Sequence, residues 1–449
     1  MIFLRKLLTE LQIWKKNTQR KPLILRGARQ VGKSTIITQF GKDYTQFISL
    51  NLEKSQDRRF FIDYGDDIKK IMEAILLEKG LAGSLSETLL FIDEIQEVPS
   101  AISLLRYFYE ELPQLHVIAA GSLLEFALKD AGAFPVGRVI QKVLHPLDFE
   151  EFLLAIGEDL AVKYLHQIPL PEIAFHKLLD LFHQYVIIGG MPEIVKVYVQ
   201  NNRSLLELQE VYSSIWDNYL DDVEKYAHNK SESKVIRHIL DTAPFTRERI
   251  SYANFGQSNY KSREVSEAFR MLDKARLIRI IRPTNAVTPP PLPNLKRKPK
   301  LQFLDTGLLN YASQTQLEML SIKDFNNYYK GHIINHVIFQ EQTAQSTNIN
   351  YRPLFWTREN ARSNAEVDLI HQYQGKLIPV EVKSGPQGRL RSLHEFMNRT
   401  DHNYAVRLLA NYISVENAQT TKGKSFKLLN LPYFLSAQLN QYLDWFISQ

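Results

Sequence analysis

The stretch Arg26-Gly27-Ala28-Arg29-Gln30-Val31-Gly32-Lys33-Ser34-Thr35 constrains this 449-residue chain more than any other, because it meets the phosphate-loop pattern G-x-x-x-x-G-K-[ST] in full. Such a loop works between a buried strand and a helix. Pro22-Leu23-Ile24-Leu25 supplies an apolar run for the strand, and Thr35-Ile36-Ile37-Thr38-Gln39-Phe40 can start the helix. Gly27 and Gly32 let the loop curl, so that backbone N–H groups from Ala28, Arg29, Gln30, Val31 and Thr35 can turn toward phosphate oxygens at a helix N-terminus. Lys33 is placed to reach the β and γ phosphates and Ser34 to give its hydroxyl to Mg²⁺. The implied ligand is ATP with Mg²⁺.

Farther along, Gln46-Phe47-Ile48-Ser49-Leu50-Asn51-Leu52 alternates and predicts a second strand, and Asp66 to Leu77 predicts a helix. Thr88-Leu89-Leu90-Phe91-Ile92-Asp93-Glu94 then sets two carboxylates at the end of an apolar run, a Walker B pattern. Asp93 is placed to hold Mg²⁺ through water, and adjacent Glu94 to polarise the attacking water. After a helix over Ala101 to Glu111, His116 to Gly121 reads as another strand. Its polar end, Ser122, reads as a sensor of the γ-phosphate, as the cap of a helix beginning at Leu123, or as both. Arg138 stands in a short loop before a strand over Val139 to Leu144. It reads as a surface arginine or as an arginine finger that reaches a neighbouring subunit's phosphate.

The length exceeds one hydrophobic core and predicts about three domains. There is no cysteine, which excludes disulfides and thiolate metal sites, and the twelve histidines form no H-E-x-x-H pair. Met1 to Lys16 reads as an amphipathic helix and no run reaches transmembrane length, so a cytoplasmic protein with no membrane partner is expected. Net charge is +6, from 55 basic and 49 acidic residues, yet the excess is local. Lys274 to Leu304 holds eight basic residues and no acidic one, leaving 47 against 49 elsewhere. That patch suits a polyanion, or a solvated linker.

Several stretches together carry a resemblance. The phosphate loop with its lead-in Arg20-Lys21, Phe91-Ile92-Asp93-Glu94-Ile95-Gln96, and Ala120-Gly121-Ser122-Leu123-Leu124 are similar to those of prokaryotic AAA+ ATPases with a C-terminal domain of restriction-endonuclease-like fold. The likeness continues in Pro146-Leu147-Asp148-Phe149-Glu150-Glu151-Phe152-Leu153, Gly189-Gly190-Met191-Pro192-Glu193, Leu304-Asp305-Thr306-Gly307-Leu308-Leu309 and Pro379-Val380-Glu381-Val382-Lys383-Ser384-Gly385. It implies an α/β architecture: an AAA+ P-loop core over 1–145, a helical lid over 146–228, a winged-helix domain with a basic proline-rich connection over 229–300, and a restriction-endonuclease-like domain over 301–449. Glu193 and Asp222 lie in landmarks of this likeness, and a helix start and a solvated helix face account for them.

Within 231–283, three helical segments followed by Leu277-Ile278-Arg279-Ile280-Ile281-Arg282 suggest a winged helix. In the third segment Val265, Phe269, Leu272 and Ala275 make an apolar stripe, while Arg263, Arg270 and Lys274 fall on another face that could meet a nucleic-acid groove. The same module can dock a protein instead. Thr288 to Lys300, with prolines at 289, 290, 291, 293 and 299, predicts an extended, solvated connection, and Lys296, Arg297 and Lys298 extend the basic surface of Arg279 and Arg282.

In the last domain Ala365 to Ile370 and Leu377 to Lys383 read as alternating strands. Glu381 and Lys383 share a face, where Asp368 can join them as two carboxylates and a lysine of a Mg²⁺ nuclease, the PD-(D/E)-x-K arrangement. In the resembling proteins the first helix of this domain carries G-x-x-x-E, whose glutamate completes the metal site. Here Gly331 is followed by Asn335, and Glu341 lies nearly two turns away. A neutral side chain leaves one charge fewer for a hard cation, so a vestigial nuclease core is expected. The combined expectation is a ring-like homo-oligomeric AAA+ ATPase that moves these modules on duplex or branched DNA. An ATP-gated nuclease and a nucleotide-dependent switch that docks a protein are the alternatives.

Overall fold

Strands buried on both faces read as continuous apolar runs, and this chain has such runs ending in small or charged residues. The computed structural model describes residues 3–122, 124, 134–227, 229–316, 331–358, 365–383 and 390–449; the helix expected from Leu123, and Ser384 and Gly385, lie largely or wholly outside them. The runs form β1 (Leu23–Arg26), β2 (Gln46–Asn51), β3 (Thr88–Asp93), β4 (His116–Gly121) and β5 (Ile140–Val143), an all-parallel sheet in the order β2-β3-β4-β1-β5. Parallel pairing puts the C-terminal ends of β1, β3 and β4 on one edge, where the phosphate loop and the acidic pair follow.

The chain divides into two compact units. The first comprises Met1–Pro146 with Lys274–Arg276 and Ser346–Asn350. Its core packs Ile48, Leu50, Leu90 and Ile92 of the sheet against Ile71, Ile75, Ile102 and Leu105 of the helices Ile68–Lys79 and Pro99–Glu111. The amphipathic N-terminal helix spans Leu7–Lys16 and buries Leu7, Leu11 and Trp14. A helix not foreseen in the sequence, Ser55–Asp63, buries Asp57, whose carboxylate accepts from Asn51 N at 2.9 Å.

The second unit begins at Leu147 with a helical stretch that includes Phe149–Ala155, Glu172–Ile188, Pro192–Gln200 and Gln209–Asp221. Further strands follow: β6 (Ile278–Ile281), β7 (Pro283–Thr284), β8 (Lys300–Phe303), β9 (Leu354–Thr357), β10 (Glu366–Tyr373), β11 (Lys376–Val382), β12 (Tyr404–Leu409), β13 (Ser414–Gln419) and β14 (Ser425–Pro432). Seven of them make a mixed sheet in the order β13-β14-β12-β11-β10-β9-β7, and β6 pairs antiparallel with β8.

A buried polar joint ties this unit together. Asp305, fully buried, caps the helix Thr306–Ala312 by accepting from Leu308 N at 3.1 Å, and its other oxygen accepts from Gly190 N at 2.6 Å. Gln340, from the helix His332–Ala344, donates to Asp305 at 3.4 Å and to the Tyr185 hydroxyl at 2.9 Å. Tyr185 donates to Leu147 O and to Glu341, and Glu341 also accepts from Phe149 N. Glu341 therefore belongs to the joint. Burial raises Asp305 to about 6 despite these donors. Gly190 is obligatory by contact, since a Cβ there would stand 2.0 Å from Leu147 O.

Four expectations change. Between 231 and 283 there are two α-helices, Lys230–Thr242 and Ser262–Lys274, where three helical segments were expected; between them lie only 3₁₀ turns, Ala243–Phe245 and Phe255–Gln257, in a stretch with left-handed Asn254 and Gly256. The proline-rich stretch is no extended connection. It loops back between β7 and β8, Thr284 bridging Pro293 and Asn294 N donating to Pro283 O at 2.7 Å, because both flanking segments are held in strands. Lys300, at its end, lies in β8 with a largely buried side chain. Asp222 is buried and paired with Lys225 at 3.2 Å rather than solvated, at the junction where the helix ending at Asp221 passes into the short helix Val223–Tyr226.

Gly190→Ala should force Leu147 and the Asp305 cap apart and cost about 1–3 kcal/mol or more. Urea denaturation followed by circular dichroism measures this, and an unchanged midpoint would remove the joint from the stabilising contacts.

Candidate functional site

The phosphate loop joins β1 to the helix Lys33–Gly41. Gly32 has φ 94°, a left-handed turn that aims the first N–H groups of the helix into the loop. Lys33 is buried and its ammonium donates to Gly27 O at 3.1 Å and Ala28 O at 2.8 Å, so it spans the loop. Burial lowers Lys33 to about 8 against the opposing fields of Glu94 and Asp93, and Arg29 lowers it further. Arg5, which the sequence presents only as a charge on an amphipathic helix, is buried and donates to Val31 O at 3.1 Å and His145 O at 2.6 Å. It ties the loop to the end of the sheet.

Ser34 Oγ donates to Asp93 Oδ2 at 2.5 Å, so the two groups expected at Mg²⁺ are in contact. Burial raises the Asp93 carboxyl, the Ser34 hydrogen bond opposing it. Glu94 follows with φ 48° and ψ 48°, a left-handed conformation that is uncommon for a residue with a Cβ and that turns its side chain away from the strand direction. Gln96 Nε2 donates to the Glu94 carboxylate, and Gln96 fills the space beside Gly121, where a Cβ would stand 2.1 Å from Gln96 Oε1. Gln96, present in the sequence reading only as the end of the run Phe91 to Gln96 and given no role there, is the residue behind Glu94.

Ser122 is buried at the end of β4, and among the described residues its hydroxyl has no hydrogen-bond partner. A buried orphan hydroxyl at this edge, a lysine spanning the loop and the Ser34–Asp93 contact make a donor set that fits a triphosphate with its cation. Arg138 lies apart from these groups, about half exposed and ion-paired with Glu110 at 2.9 Å.

In the second unit the groups expected of a nuclease come together. A cavity of about 990 Å³ is lined by Asn335, Asp368, Glu381 and Lys383, and also by Arg249 and Lys300. Asp368 accepts from Asn335 Nδ2 at 3.2 Å and Val382 N at 3.0 Å, and Lys383 Nζ donates to Glu381 at 2.6 Å. Burial and the neighbouring Asp368 raise the Glu381 carboxyl. Lys300, from β8, stands between Glu366 and Asp368, and Arg249 closes on the other Glu366 oxygen. Burial works against the Lys300 ammonium, yet Asp368 and Glu366 outweigh it and raise its pKa. Glu366, Asp368 and one oxygen of Glu381 are engaged by the chain's own donors; among the described residues Glu381 Oε2 and Asn335 Oδ1 are buried without a partner, and no group of three His, Asp or Glu side chains is placed for a metal. The donor set does not fit a divalent cation. Lys300 and Arg249 were not anticipated, because their partners lie 66 to 117 residues away in sequence.

Of the residues expected at nucleic acid, Arg263, Arg270, Lys274, Lys296 and Lys298 are exposed, and Arg279, Arg282 and Arg297 half-buried. Arg263 pairs with Glu267 at 2.9 Å, and Arg279 donates to Tyr351 O at 3.3 Å.

Residues 19–153 match the AAA domain family, residues 179–319 a domain of unknown function (DUF8612) and residues 330–434 another (DUF4143). No curated protein matches the chain. Among solved structures, the chain is similar to a Walker-type ATPase of Pyrococcus abyssi at 17% identity and TM-score 0.45, over 69% of this chain and 96% of that one. It is also similar to a signal-transduction ATPase with numerous domains and a tetratricopeptide-repeat sensor from Pyrococcus horikoshii, at 12% identity and TM-score 0.29, over 77% and 46%. The family match, with the phosphate loop on β1 and the acidic pair on β3 of a parallel sheet, gives the chain an AAA-type P-loop ATPase domain in its first unit. Residues 19–153 are its AAA domain.

The lowered Lys33 pKa has a measurable consequence. Below about pH 8 the free protein already carries the ammonium; above it, binding phosphate requires proton uptake, so ATP affinity should fall with rising pH by at most about tenfold per unit. Titration of a fluorescent ATP analogue between about pH 7 and pH 9.5 checks this. An affinity that does not change across this range would remove Lys33 as its cause.

Proposed function

We propose that this AAA-type ATPase binds and hydrolyses ATP at the edge of its parallel sheet and couples the cycle to DNA, duplex or branched, held by its second unit. The observation that carries the reading is the contact of Ser34 with Asp93 beside the buried Lys33. Ser34 and Asp93 would hold Mg²⁺, which supplies charge neutralisation at the β and γ phosphates when bound. Lys33 leaves its loop carbonyls to clamp phosphate oxygens, and Ser122 gives its unpartnered hydroxyl to the γ-phosphate. Glu94 orients and polarises the attacking water, and Gln96 fixes the Glu94 carboxylate for that task. Arg138, exposed at a loop, is proposed to exchange Glu110 for a neighbouring subunit's phosphate in a ring-like homo-oligomer.

Hydrolysis assays test the roles together. Lys33→Ala should abolish ATP binding, whereas Glu94→Gln should bind ATP and hydrolyse it roughly 10²-fold more slowly or worse. Arg138→Ala should retain binding, and mixing its subunits with Glu94→Gln subunits should restore part of the activity. Wild-type hydrolysis by Glu94→Gln would remove the water-activating assignment; no recovery among exchanging subunits would remove the finger.

The DNA half rests on the exposed cations Arg263, Arg270, Lys296 and Lys298 of the second unit, and on its half-buried Arg279, Arg282 and Arg297. Replacing Arg270, Lys296 and Lys298 by glutamine should weaken duplex binding and reduce the slope of log affinity against log salt by roughly 0.9 for every phosphate that is no longer neutralised. An identical slope would return this surface to a solvated loop.

A further inference from the structure

The carboxylates of the C-terminal cleft sit where a nuclease would keep a metal, yet each has a cation or donor of this chain against it. Lys300 Nζ lies 2.5 Å from Glu366 Oε1 and 3.5 Å from Asp368 Oδ1, the position of a counter-ion shared by two acids. Asn335 turns an N–H to Asp368 and keeps a neutral amide oxygen, unpartnered among the described residues, where a metal site of this kind would have a second negative charge. A divalent ion entering here would have to displace an ammonium that is covalently part of the fold and held in β8, whose partner strand is β6. Separating this partly buried pair leaves an unpaired ammonium, so the entering cation gains less than it would at free carboxylates. Among the described residues that line the cavity, six are lysine or arginine and four are aspartate or glutamate. The cavity is therefore polar, lined by the second unit alone and cationic on balance, a combination that favours an anion.

We propose that the Lys300 ammonium takes the place of the divalent cation in this cleft, so that the cleft holds a phosphodiester without metal and does not cleave it. The identity of the ligand as nucleic-acid backbone rests on the DNA reading above; the role of Lys300 does not. Arg247 and Lys298, which line the same cavity, extend the cationic wall that a phosphate would meet. Lys300 is then a positioning residue for Asp368 and Glu366. Restoring the missing glutamate at Asn335 alone does not create a metal site, because the ammonium remains.

The test follows Mn²⁺ binding by its paramagnetic signal, without nucleotide and with Asp93→Asn throughout, so that the ATPase site does not contribute. The wild-type cleft and Asp368→Asn should bind Mn²⁺ alike, and so should Asn335→Glu. Lys300→Met should bind roughly tenfold tighter, and Lys300→Met with Asn335→Glu tighter still, as carboxylate charge is released to the ion. Mn²⁺ binding by the wild-type cleft that Asp368→Asn abolishes would overturn the assignment, and this comparison decides even when Lys300→Met does not fold. A second arm measures duplex DNA binding at fixed ionic strength in EDTA and in Mg²⁺. Equal affinity in both, weakened by Arg247→Gln and Lys298→Gln, supports a metal-free phosphodiester cleft, and affinity that collapses in EDTA overturns it. Failure to bind DNA in either buffer would remove the phosphodiester and the DNA reading together, while the Mn²⁺ arm still rules on Lys300.

Discussion

The burial of Asp305 is the constraint around which the second unit is assembled. A carboxylate removed from water must collect donors, and here they come from Gly190, Leu308 and Gln340, three segments far apart in sequence. Their convergence demands close backbone approach. The glycines at 189, 190 and 307 leave no room for a Cβ, the first against Asp305 and the others against the carbonyls of Leu147 and Ile188. Tyr185 and Glu341 complete the network from the adjoining helices. Stretches that look like separate motifs in the chain are the parts of one joint, and their chemistry is cohesion.

The first unit uses a different principle. Parallel strands deliver their C-terminal ends to one edge, which is where open α/β sheets bind ligands. The phosphate loop after β1, the acidic pair after β3 and Ser122 after β4 meet there, linked by the Ser34–Asp93 contact and held to the end of the sheet by Arg5. What the edge does require is local strain. Glu94 takes a left-handed conformation, and Gln96 packed against Gly121 holds the carboxylate that this conformation turns outward.

The cleft in the second unit shows how the same side chains acquire another meaning from their neighbours. Asp368, Glu381 and Lys383 are grouped as an E-x-K strand pattern anticipates, since alternate residues share a face of the sheet. Asp368 is answered by Lys300 and Asn335 and one oxygen of Glu381 by Lys383, so that the chain's own ammonium stands where a metal site would hold its cation.

Periodicity and motif were sufficient for features whose determinants are contiguous. The β1 strand and loop, the run Thr88–Asp93, the helix after Asp66 and the strands β10 and β11 all follow from nearest-neighbour chemistry, although β11 is buried on both faces and does not alternate as expected. Where the determinant is a partner elsewhere in the chain, the sequence is mute. It could count Lys300 in a basic stretch but not pair it with Glu366 and Asp368, could see Arg5 as amphipathic but not bury it under Val31 and His145, and could read Asp222 as solvated although folding covers it. A side chain's charge is written in its residue type, whereas its solvation and its counter-ion exist only once distant segments have packed; for this protein, the sequence alone determined which phosphate chemistry could occur, and tertiary structure decided which carboxylates remain available to a cation.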